Sequence, residues 1–134
     1  MVLSSEMAAV ALGLGTDIVD IERIQHAHER HGNRFLKRIY TEEEQAYCLG
    51  MKNPYPHLAA RFAAKEAVSK CFGTGICGEF GWTSVSICKG SRDEPYAKLD
   101  EKGQTLLDAM GGTRVLVSLS HTSSLGHAVA LVVK

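Results

Sequence analysis

The segment LAARFAAKEAVSKCFG, residues 58–73, restricts the fold more than any other part of the chain. Ala59, Ala60, Phe62, Ala63, Ala64, Ala67, Val68 and Cys71 cover nearly every direction around a helix of period about 3.6, so this helix has to be buried on most sides. Arg61, Lys65, Glu66 and Lys70 are set into it. Glu66 shares its face with Phe62, Ala63, Ser69 and Lys70, a setting that disfavours a bare carboxylate. Arg61 and Lys65 stand one turn apart, where like charges repel by roughly 0.2–0.5 kcal/mol on an isolated helix. Two accounts fit these charges. In one, Glu66 pairs with Lys70 while Arg61 and Lys65 extend to solvent along their alkyl stems. In the other, the carboxylate takes a cation and the two bases take an anion, and a metal-bound phosphate satisfies both.

A second carboxylate in an apolar setting lies upstream. After residues 1–10, which read as a loose leader, Leu12 to Ile21 reads as a strand rich in Ile, Leu and Val. Alternation puts Asp17 on the face of Gly13, Gly15, Val19 and Ile21, with no basic neighbour in the strand. It is either a strand-end acid turned to water or holding a loop, or the partner of something brought in from elsewhere. Ile24 to His31 predicts a short helix capped at its C-terminus by Gly32 and Asn33. Thr41 with Glu44 forms a capping box for a helix running to about Gly50, and Pro54 and Pro56 break the chain before the central helix. Downstream, Trp82–Cys88, Pro95–Leu99, Arg114–Ser120 and Gly126–Val133 read as strands, the last apolar on both faces as in a central strand. Glu101 to Met110 reads as a helix stopped by Gly111 and Gly112. Strands gathered in the second half, with helices before and between them, predict a single α+β domain over residues 1–134: a largely antiparallel sheet packed on a long buried helix.

Several functions are disfavoured. Gly73 to Gly78 spells G-x-G-x-x-G, but a helix precedes it and a strand follows, the reverse of the dinucleotide fingerprint. It remains a plain connection or a loop whose backbone can approach a phosphate. His26, His28 and His31 match no common zinc spacing. The 15 basic and 15 acidic residues cancel, so the overall balance gives no support to nucleic-acid binding. Charge is uneven, however: Arg23, Arg30, Arg34, Lys37 and Arg38 face only Glu29 over that stretch, a local +4 suited to an acidic partner or to a solvated helix face. Cys48, Cys71, Cys77 and Cys88 lack CxxC spacing and read as free thiols of a cytoplasmic protein. The apolar run from Met7 to Leu14 is too short to span a bilayer.

Gly15-Thr16-Asp17-Ile18-Val19 and Phe62-x-x-Lys65-Glu66-Ala67-x-x-Lys70, in this order and spacing, resemble the two motifs of the 4′-phosphopantetheinyl transferases. The Phe72-Gly73-Thr74-Gly75 loop and the closing Ser120-His121-Thr122 resemble the short branch that acts on acyl carrier proteins. The likeness covers residues 12–133. It implies transfer of 4′-phosphopantetheine from coenzyme A to a serine of an apo acyl carrier protein of fatty acid biosynthesis, with adenosine 3′,5′-bisphosphate released. It further implies a homotrimer with active sites between subunits. Magnesium typically takes one or two protein carboxylates, with water and phosphate oxygens completing its shell, so Asp17 and Glu66 are the expected ligands of magnesium or manganese. The serine proton would go to a carboxylate at the metal or to a water there. Lys70 would stabilise the leaving phosphate, and Arg61 and Lys65 would contact coenzyme phosphates. The resemblance also puts Gly73, Thr74 and His121 on the coenzyme, and Arg23 at the head of the carrier-docking helix. One departure stands out: where the family has Gly and a basic residue before the proline of a turn, this chain has Asp93 and Glu94 before Pro95, with Arg92 as the nearby substitute. The residues alone also admit a noncatalytic module that holds coenzyme A or a carrier, and a metal-dependent diphosphate hydrolase.

Overall fold

The computed structural model describes residues 10–134; all of the expected leader except Val10 lies outside them. In chain order the elements are β1 (Ala11–Asp20), α1 (Ile21–His31), α2 (Asn33–Ile39), α3 (Glu42–Leu49), α4 (Tyr55–Cys71), β2 (Val85–Lys89), β3 (Pro95–Leu99), α5 (Glu101–Ala109), β4 (Arg114–His121) and β5 (Leu125–Val133). The α+β expectation holds, with two antiparallel sheets: β1-β5-β4, with β5 central, and the hairpin β2-β3.

Helix α4 is the core, with Leu58, Ala59, Ala63, Ala64, Ala67 and Val68 fully buried. It lies on one face of the larger sheet, against Val19, Ala128, Ala130 and Val132. Small residues set the spacing. A Cβ at Gly15 would come within 2.0 Å of the Ala67 carbonyl oxygen, and one at Gly126 within 2.8 Å of the Ala59 backbone. Alanines on the helix and glycines on the strands thus let the two backbones approach closely, which brings a side chain of β1 into reach of one on α4.

Local expectations differ from the structure in four places. Ile21 leaves β1 to begin α1, its N–H bonded to the Ser124 carbonyl. Asn33 is not a cap but the first residue of α2, which restarts after Gly32 at φ 59 and buries Leu36 and Ile39. Pro56 does not break the chain; it occupies the first turn of α4, where no intrahelical N–H is lost. Trp82–Ser84 forms a 3-10 turn, and β2 begins only at Val85. The Thr41–Glu44 capping box is present.

Candidate functional site

Asp17 on β1 meets the C-terminal half of α4. Lys70 Nζ donates to the Thr16 carbonyl at 2.8 Å and to Asp17 Oδ1 at 3.2 Å. Lys70 therefore pairs with the strand acid and not with Glu66 one turn back, because the close approach at Gly15 presents Asp17 to it. Glu66 lies half-buried beside them. Burial raises its pKa first and the Asp17 carboxylate adds to the rise, while Lys70 and Arg23 of α1 oppose it. One strand, two helices and four charged groups thus converge: Asp17, Glu66, Lys70 and Arg23. Among the described residues no three His, Cys, Asp or Glu side chains gather in a metal-sized cluster. Asp17 and Glu66 are the two carboxylates that could serve a metal here, and a pair of hard oxygens would suit a cation that keeps water and phosphate oxygens as its other ligands.

Lys65 departs from its expected part. Its side chain is wholly buried and its ammonium pairs with Glu44, while it also donates to the carbonyls of Trp82 at 2.8 Å and Val85 at 2.7 Å. All three donors are committed, so Lys65 is not free to meet a coenzyme phosphate; it ties α4 to α3 and β2. Burial lowers its pKa and Glu44 counteracts this. Glu44 also closes the cap of α3 and accepts from the Ile87 N–H at 2.9 Å. The sequence read Glu44 only as a capping residue; its second partner comes from a helix packed across it.

Arg61 and His121 sit in a second cleft, lined by Tyr47, His57, Ala60, Lys89, Pro95, Leu119 and Ser120. Arg61 is 3% exposed and lies on the Tyr47 ring, so a solvent-reaching stem does not account for it, and no carboxylate among the described residues pairs with it. Its Nε is buried without a hydrogen-bond partner among the described residues. Gly73 and Thr74 form the turn that follows α4, with Gly73 at φ 74, its N–H on the Lys70 carbonyl, and the Thr74 hydroxyl on the Gly75 carbonyl. Asp93 and Glu94 do not line the cleft. Glu94 turns back to accept from the Arg92 N–H at 2.8 Å, and Asp93, at φ 65, leaves its carboxylate exposed.

Known proteins resemble this chain in sequence and in fold. The profile of the 4′-phosphopantetheinyl transferase superfamily matches residues 13–130. The holo-[acyl-carrier-protein] synthase of Chlamydia trachomatis serovar D is 46% identical over 119 residues, covering 89% of this chain and 97% of that one. The crystal structure of the synthase from Neisseria meningitidis superposes with a TM-score of 0.85 at 33% identity, over 92% of this chain and 99% of that one. The Helicobacter pylori synthase in complex with coenzyme A gives a TM-score of 0.79 at 29% identity, over 89% and 98%.

Proposed function

Because the chain belongs to the 4′-phosphopantetheinyl transferase superfamily, we propose that it acts as a single catalytic domain that transfers 4′-phosphopantetheine from coenzyme A to a serine of apo acyl carrier protein. The convergence of Asp17, Glu66 and Lys70 where β1 crosses α4 carries this reading. Asp17 and Glu66 would hold magnesium, with manganese as the other candidate. The repulsion between the two carboxylates, which Lys70 and Arg23 only oppose, supports this. When bound, the metal supplies charge neutralisation and alignment of the coenzyme diphosphate.

The chain's own groups do the rest. The serine oxygen bonds to the phosphorus that carries pantetheine. The bond from that phosphorus to the bridging oxygen breaks, and adenosine 3′,5′-bisphosphate leaves as the hydroxyl proton passes to a base at the carboxylate pair. Lys70, half-exposed and already held by Thr16 and Asp17, is positioned to stabilise charge on the leaving phosphate. Arg61 and His121 bind another coenzyme phosphate in the second cleft, and the Gly73–Thr74 turn contacts the coenzyme through its backbone. Arg23 heads the basic stretch that receives the acidic carrier, which speeds association and makes it salt-sensitive.

The chain works as a trimer. The face of β1-β5-β4 turned away from α4 carries Leu14, Ile18 and Leu116 at 69%, 59% and 41% exposure. Leu131 stands between Leu14 and Leu116 in register. An apolar sheet face of this kind supports burial against a second copy. Three buried free thiols of four support a reducing compartment, the cytoplasm; among the described residues no helix is long and apolar enough to cross a membrane.

Intact-protein mass spectrometry tests the function. Apo carrier incubated with the chain, coenzyme A and magnesium should gain one phosphopantetheine, and a chelator should abolish the gain. An unmodified carrier with coenzyme A cleaved would point to diphosphate hydrolysis; an unmodified carrier with coenzyme A intact would point to binding without turnover.

A further inference from the structure

The cleft that holds Arg61 and His121 also holds a second basic side chain, Lys89. Lys89, the last residue of β2, brings its ammonium 5.5 Å from the centroid of the Tyr47 ring, on which Arg61 Cζ already sits at 4.3 Å. His57 and His121 stand with ring centroids 5.9 Å apart. These groups enclose a cavity of about 240 Å³ whose wall, among the described residues, contains no carboxylate. Two basic side chains on one aromatic ring repel each other, and Arg61 Nε is buried without a hydrogen-bond partner among the described residues. The Asp93 carboxylate, 4.0 Å from Lys89 and largely exposed, offsets this charge only in part, so the cleft favours an entering anion. His57 reflects the same field: burial first, then Arg61, His121 and Lys89, hold its pKa down.

The β2–β3 turn positions Lys89. Its Nζ donates to the Asp93 carbonyl at 3.1 Å, and the Asp93 carboxylate lies 4.0 Å away with its side chain 85% exposed. Glu94 is held on the Arg92 N–H. The two acids that replace the family's Gly and basic residue before Pro95 thus stay out of the cleft, and one of them holds a lysine at its rim.

On the premise that the chain uses coenzyme A, we propose that Lys89 is a specificity-determining residue that binds, with Arg61, the 3′-phosphomonoester of the coenzyme, and so stands in for the basic residue missing from the turn. A phosphomonoester carries about −1.5 to −2 charges near pH 7 and three acceptor oxygens, a better match to two cations than a singly charged diester-type phosphate. The Asp17–Glu66 pair serves the diphosphate from β1, whereas this cleft lies at β4, the other edge of the sheet.

Isothermal titration of the whole chain with coenzyme A and with 3′-dephospho-coenzyme A, magnesium present, tests this. Wild-type protein should bind coenzyme A about tenfold or more tightly than the dephospho form, the order of a charge-assisted hydrogen bond. Lys89→Gln should weaken coenzyme A about tenfold and change the dephospho form by less than about twofold, and Lys89→Arg should restore most of the preference. Equal binding of the two ligands by wild type, or equal losses for both ligands in Lys89→Gln, would overturn the inference. Wild type that binds neither ligand would instead overturn the coenzyme A reading on which the inference rests.

Discussion

A half-buried carboxylate beside a second carboxylate costs folding free energy once both ionise, and Glu66 is so placed next to Asp17. Its folded-state pKa is raised above the ordinary value near 4.5, so the stability it allows is complete below that pH and is lost as pH rises through the folded-state value. At pH 7 without metal, Glu66→Gln should therefore melt at a higher temperature than wild type, and the difference should vanish near pH 4. Equal melting temperatures at pH 7 would contradict the repulsion. Glu44 presents the opposite case. Removing its charge leaves the Lys65 ammonium buried with only carbonyl partners, a loss on the order of 3–5 kcal/mol. Urea denaturation of Glu44→Gln measures it, and an unchanged midpoint would show that Lys65 is not charged. The sequence marks Asp17, Glu66 and Lys70 as residues in need of partners but not who partners whom. Lys70 belongs to Asp17 and Lys65 to Glu44 because strand and helix packing, not spacing along α4, decides the pairs.

At the scale of elements, the approach of β1 to α4 determines the geometry of the site. Gly15→Ala places a methyl against the Ala67 carbonyl, and the strand must move away. Overpacking of this kind costs about 1–3 kcal/mol. The same shift separates Asp17 from Lys70 and Glu66, so transfer activity should fall at least about tenfold even at temperatures where the variant is folded, given how steeply catalysis depends on placement. Circular dichroism beside a transfer assay checks both, and a folded variant with wild-type rate would contradict it. Element type was readable from the sequence where a long apolar run was bounded by turn residues, as in α4 and β5. Helix α2 was hidden because Gly32 and Asn33 look like the end of a helix, whereas Gly32 at φ 59 only turns the chain before Leu36 and Ile39 return it to the core. The acidic turn before Pro95 could not be judged from its residues either, since its effect depends on which way Asp93 and Glu94 point.

For the whole molecule, the three-stranded sheet has one face on α4 and one apolar face exposed, and a trimer would cover the latter. Leu14→Glu with Ile18→Glu should yield monomers in sedimentation analysis at concentrations where wild type forms trimers; trimers in both would show that assembly uses another surface. The account as a whole turns on a metal held by Asp17 and Glu66 at the site of transfer. The most direct measurement is the rate of phosphopantetheine transfer to apo carrier protein as magnesium is titrated, for wild type, Asp17→Asn and Glu66→Gln, with folding and coenzyme A binding confirmed for each. Both variants should fall at least about 100-fold at limiting magnesium, in line with the several kcal/mol that a bound metal supplies. Wild-type rates in either variant at limiting magnesium would contradict it.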